Sequence, residues 1–205
     1  MRMRRIALVV AVVGAVGCQL QSTFSVTGPP LITANQTSLT LKVGDSSRVD
    51  IGATDVLGNV ITPPPAASSL DTTVLAVTPA DSVLPQHTSV YAKAVAFGWS
   101  GIRVILDTIV DTIPVQTYPA GVRIGALSDT MVAGDTARPY PVALDLLGDS
   151  IAAPADSFWW AGIPAAVLAV DSATGRTVAQ AAGTAQLVLH VAGGATDTAT
   201  VTINP

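Results

Sequence analysis

The chain has 205 residues and a formal net charge of −4. All fourteen acidic residues are aspartate, lysine occurs twice, and valine, threonine, glycine and proline abound, a balance that argues against a helical architecture. So few cations on an acidic surface cannot neutralise a phosphate backbone, which sets nucleic acid aside as a partner.

The first element is a processing signal. Arg2, Arg4 and Arg5 precede an apolar run of 12 residues, 6–17, and Ala15, Val16, Gly17 and Cys18 place small residues at a cleavage point. Twelve residues are too few to cross a bilayer as a helix. This tetrapeptide resembles the lipobox of bacterial lipoproteins. The resemblance implies removal of residues 1–17 and a covalent lipid on the Cys18 thiol, which then begins the mature chain. Loss of the three arginines takes the formal charge from −4 to −7. Cys18 is the only cysteine, so once it carries lipid no disulfide forms and each domain relies on its core. Gln19, where an aspartate would signal retention, resembles the sorting pattern of outer-membrane lipoproteins. Residues 18–29 read as a flexible tether that reaches roughly 20 Å.

Beyond the tether the chain repeats itself. Gly44-Asp45, Asp55, Gly58, Asn59 and Ile61 recur as Gly134-Asp135, Asp145, Gly148, Asp149 and Ile151, all at an offset of 90. Val74-Leu75-Ala76-Val77 returns as Val167-Leu168-Ala169-Val170, and Gly98, Ile102 and Val104 return as Gly183, Leu187 and Leu189. Small changes of offset are what loop insertions between tandem copies produce. The domain limits read as 30–118 and 119–205.

Within each copy the apolar period is two. Leu39, Leu41 and Val43 alternate with polar neighbours, as do Val49, Ile51 and Ala53, then Ile102, Val104 and Leu106; the second copy follows with Leu187, Leu189 and Val191, then Ala199, Val201 and Ile203. Turn residues separate them at short intervals. The fold class is therefore all-β, with two tandem antiparallel immunoglobulin-like sandwiches. One segment conflicts: alignment on Asp55 and Asp145 maps the inward Val49 and Ile51 onto Pro139 and Pro141, whereas Val142, Leu144 and Leu146 favour the opposite register. An edge strand or bulge is expected there, since proline cannot donate to a ladder.

In the second copy Gly134-Asp135, Asp145 with Gly148, Trp160, 167–171, Gly175-Arg176, 181–185 and 197–202 occur in order. Together they resemble a bacterial immunoglobulin-like domain of group 2. The first copy departs from the pattern, with Ala66 and Ala67 where the tryptophan stands and Trp99 in place of the threonine after Gly98. The resemblance implies a non-catalytic module of a bacterial surface protein, a spacer, adhesion unit or binding module, with Trp160 in the core.

Catalytic chemistry finds no constellation. His87, placed in a loop, and His190, on the outward face of a strand, are the only histidines, and no nucleophile elbow, zinc motif or phosphate-cradling loop accompanies them. The expected catalytic set is empty and the chain is read as a non-enzyme. Asp45, Asp55, Asp135 and Asp145 are oxygen donors that calcium takes in extracellular β modules, but turns require the same residues; the turn reading is preferred, and no metal or cofactor besides the Cys18 lipid is expected. Trp99 and Trp159 are the candidate ligand contacts, since exposed tryptophans stack on sugars or anchor protein surfaces. The sequence thus reads as a lipid-anchored, non-catalytic cell-envelope protein, outer-membrane and periplasmic or surface-exposed. It would act in structure, adhesion or protein binding; the alternative is a carbohydrate- or calcium-binding surface protein, so partners are the membrane and a surface protein or polysaccharide.

Overall fold

The computed structural model describes residues 28–80 and 86–205. Cys18, the processing signal and most of the tether lie outside the described residues.

Eight strands build the first sandwich: β1 (Leu31–Ala34), β2 (Leu39–Lys42), β3 (Ser46–Thr54), β4 (Ala66–Ser69), β5 (Leu75–Pro79), β6 (His87–Ala94), β7 (Gly98–Leu106) and β8 (Ile109–Tyr118). One sheet runs β1-β3-β6-β5, the other β2-β8-β7-β4. The alternation read from the sequence is what closes them on each other. Leu39, Leu41, Val49, Ile51, Ile102 and Val104 all point into one buried cluster with Leu75, Val90, Ile113 and Val115. His87 opens β6 instead of lying in a loop, and it is exposed.

The second sandwich has β9 (Gly121–Gly125), β10 (Thr130–Val132), β11 (Thr136–Ala137), β12 (Tyr140–Leu144), β13 (Ser150–Ile151), β14 (Phe158–Ile163), β15 (Leu168–Val170), β16 (Thr177–Ala179), β17 (Gly183–Val191) and β18 (Thr196–Asn204). One sheet runs β10-β18-β17-β14; facing it are two shorter ones, β13-β12-β9 and β11-β16-β15. Trp160, 3% exposed, sits in this core with Phe158, Leu168, Leu187, Leu189 and Val201. Only Gly175 leaves room for the indole: with φ +70° it takes a left-handed conformation, and a Cβ there would fall 2.7 Å from the Trp160 ring.

Pairing is antiparallel except once in each sandwich, where β2 lies parallel to β8 and β10 lies parallel to β18. The exception follows from a switch of sheets. β1 and β9 pair with β3 and β12, the chain then bends across, and the next strand joins the edge of the opposite sheet beside the last strand.

The conflicting segment resolves in favour of the repeat alignment. Pro139 and Ala143 are buried and Pro141 half-buried, in register with Val49, Ala53 and Ile51, while Val142 and Leu144 are half-buried and Leu146 is exposed. Pro139 is buried where Val49 is buried in the first copy, whereas Pro141 is only half-buried where Ile51 is fully buried. The missing N–H groups of the two prolines cost the ladder: the single strand β3 becomes two, β11 paired with β16 and β12 paired with β9 and β13.

Two residues, Pro119 and Ala120, separate β8 from β9. The sandwiches touch beside this junction. The Leu146 amide donates to the Val43 carbonyl at 3.1 Å, the Leu146 side chain packs over Gly44, and Gly193 lies against the Tyr118 ring.

Candidate functional site

Trp159 and His190 form the most developed surface feature. Along β14 the side chains alternate, so the inward Trp160 forces Trp159 outward. Cross-strand register then places it directly opposite His190 of β17. The rings stack with centroids 5.2 Å apart and planes within 6°. Trp159 remains 46% exposed, and exposed threonines continue the face beside the stack: Thr196 pairs with His190 and Thr198 with Val188. A flat, rigid aromatic pair bordered by hydroxyl groups is a surface on which a planar apolar face with polar edges can lie.

Trp99 is 68% exposed on the first sandwich, near the start of β7 and opposite Gln116. Its equivalent in the repeat, Thr184, lies six residues before His190 on β17, about 20 Å along a strand. Trp99 and Trp159 therefore occupy opposite ends of equivalent sheets in different sandwiches. The structure does not bring them into one site.

The four aspartates belong to turns. Asp55 Oδ1 accepts the amides of Leu57 at 2.9 Å and Asn59 at 2.8 Å, and Asp145 Oδ1 accepts those of Leu147 and Asp149, both at 2.9 Å. Gly58 and Gly148 complete the two loops at φ +86° and +84°, a conformation that side chains disfavour. Asp45 accepts the Ser46 amide and Asp135 the Val132 amide. The carboxylates that calcium would use are committed to their own backbone. Among the described residues no three His, Cys, Asp or Glu side chains gather as a metal site would require.

Sequence reading missed a polar cluster on the first sandwich. Asp50 accepts from the Ser89 hydroxyl and from Arg48 Nε at 2.9 Å, and its amide donates to Asn35 Oδ1 at 3.0 Å. The Ser89 bond, with Arg48 second, lowers the Asp50 pKa below the ordinary aspartate value. Asp55 is lowered chiefly by the Asn59 side-chain amide, Asp71 by the Thr73 hydroxyl and Asp171 by the Thr174 amide. All four shifts point downward, so each carboxylate contributes stability above its unfolded pKa of 3.8 and loses it as pH falls through the lower folded value. The melting temperature is therefore expected to hold level from neutrality to about pH 5 and to fall below about pH 4. Melts followed by circular dichroism check this; a steady loss beginning near pH 6 would contradict it.

No family model matches the chain, and no curated protein matches it in sequence. Solved structures do. Domains 5–6 of the S-layer protein SbsC align over 85% of this chain and 98% of theirs, with 18% identity and a TM-score of 0.39. The C-terminal 282-residue fragment of intimin, solved in complex with the intimin-binding domain of its translocated receptor, aligns over 85% of this chain and 64% of that one, with 13% identity and a TM-score of 0.46. The Yersinia pseudotuberculosis adhesin InvE aligns over 86% of this chain with 13% identity and a TM-score of 0.52. This chain spans 59% of the InvE chain. In fold, it is similar to the tandem immunoglobulin-like domains of bacterial adhesins.

Proposed function

We propose that the chain is a non-catalytic protein of the bacterial cell envelope, held at the outer membrane by lipid on Cys18, whose two sandwiches, 30–118 and 119–205, act as a structural, adhesive or protein-binding module. The observation that carries the reading is the direct seating of Leu146 on Val43 and Gly44. Two sandwiches joined by two residues and an interlocking loop make a short rod, not beads on a string, and a rod holds its far end away from its anchor. The fold shared with InvE, an adhesin, supports the same use, and the second-copy motifs support a group 2 immunoglobulin-like module. Nothing in this role needs a cofactor.

The Trp159–His190 stack favours one second reading, a surface that binds polysaccharide through the second sandwich. Calcium has no comparable support, since the aspartates bond their own loops.

Protease treatment of intact cells tests the role. Exposed adhesion or surface scaffolding predicts that the second sandwich is lost from intact cells; protection until the outer membrane is opened would restrict the protein to a periplasmic role.

A further inference from the structure

The joint between the sandwiches shows what the 145–149 loop is for. Its fold is fixed by Asp145 and Gly148, and it meets the preceding sandwich through Leu146, which lies over Gly44, while Leu147 at the tip stays 86% exposed. The 55–59 loop of the first sandwich is the same device, closed by the equivalent bonds from Asp55 to Leu57 and Asn59. Its tip is apolar too, and among the described residues no sandwich precedes it. Val56 is 47% and Leu57 68% exposed, and Leu31 at 63% and Val60 at 45% extend the same end; Leu31 pairs with Thr54, which bridges to Val60. Four large apolar side chains at one end are more than scattered surface residues.

The chain itself indicates what this end faces. Gly28 is packed on Val56, so close that a Cβ there would fall 2.4 Å from its Cγ1, and Cys18 stands only ten residues upstream. Ten residues of coil reach about 17 Å, and fully stretched no more than about 36 Å. No lysine or arginine occurs in 28–34 or 52–65, and the Asp55 carboxylate is turned back onto its own loop, so the surface is apolar without being basic.

We propose that Leu31, Val56, Leu57 and Val60 rest on the lipid bilayer that holds Cys18, as Leu146 of the equivalent loop rests on the first sandwich. This rests on the anchor reading above. The end that enters first becomes a foot, and the rod stands on the membrane instead of swinging from its tether. Because the contact is apolar, uncharged lipid suffices.

Cys18 is the only cysteine, so the mature chain 18–205 can be coupled through it to maleimide lipids in phosphatidylcholine vesicles and compared, by hydrogen exchange, with the same chain capped by N-ethylmaleimide in solution. Amides of 55–60 are expected to exchange about tenfold more slowly on vesicles, with 145–149 unchanged. The double substitution Val56→Asp and Leu57→Asp, at exposed positions that leave the fold intact, is expected to abolish the difference. Equal exchange on and off vesicles overturns the proposal. So does protection of 55–60 already complete in the capped chain, which would mean that a second copy or the chain's own segment covers the patch. Protection that survives the double substitution overturns it as well. Chemical coupling replaces the cell's own lipid, so this result is independent of whether Cys18 is acylated in cells.

Discussion

Trp160→Ala is expected to destabilise the second sandwich by roughly 3–5 kcal/mol, the usual range for removing a buried large aromatic. The indole is 3% exposed, and it fills the space that Gly175 leaves open. Its strand also holds the 171–176 loop, because the Trp160 amide donates to the Ser172 carbonyl at 2.9 Å; a shift of β14 would loosen both. A domain of this size has a total stability of about 5–15 kcal/mol, so the loss is a large share of the whole. The two sandwiches have separate cores, so the damage should stay on one side of the joint. Hydrogen exchange across a urea series checks this: protection is expected to fall across 121–204 and to persist in β3, β6 and β7. Trp159→Ala, by contrast, removes a ring that is 46% exposed and should cost less than about 1 kcal/mol. Equal losses for the two tryptophans would contradict the assignment of inside and outside on β14.

The first sandwich does without such a ring. Ala67 pairs with Val104 as Trp160 pairs with Leu189, its equivalent in the repeat, and Ala67 is only half-buried against its core. The position that the sequence alignment marked with a missing tryptophan is thus the same position in space. The divergence of the copies is a divergence of core packing within one framework of strands and turns.

Alternating apolar residues and paired turn motifs made most of this architecture legible beforehand. Val49-x-Ile51 and Leu187-x-Leu189 state their buried face in the pattern itself, and a repeat doubles every such signal. The pattern misled at 139–144, because apolar periodicity counts valine and leucine and treats proline only as a breaker. Pro139 and Ala143 take the buried positions there, while Pro141, Val142 and Leu144 are all half-buried. The parallel placement of β2 and β10 was not legible, since an edge strand's partner depends on where the chain crosses between sheets and not on its own residues. The Trp159–His190 stack was hidden for a related reason. Each residue could be placed on an outward face, but only the register of β14 on β17 sets them opposite each other. The joint was also invisible: Leu146 read with Val142 and Leu144 as favouring the opposite register, when its exposure within its own sandwich is what lets it reach the next.

In the proposed reading, the foot, the rod and its reach all take their direction from a lipid on Cys18. Cys18→Ser is expected to have the largest effect of any single change in the chain. The proposed lipid joins the thiol sulfur, which serine lacks, and each acyl methylene buried in the bilayer would contribute about 0.8 kcal/mol. Neither sandwich contains another cysteine, so no second site can substitute. The direct measurement is growth of cells in an alkyne analogue of palmitate, followed by coupling of a fluorophore to the purified protein. The native chain should carry the label and the Cys18→Ser chain should carry none; an unlabelled native chain, or label retained after the substitution, would contradict the lipid anchor.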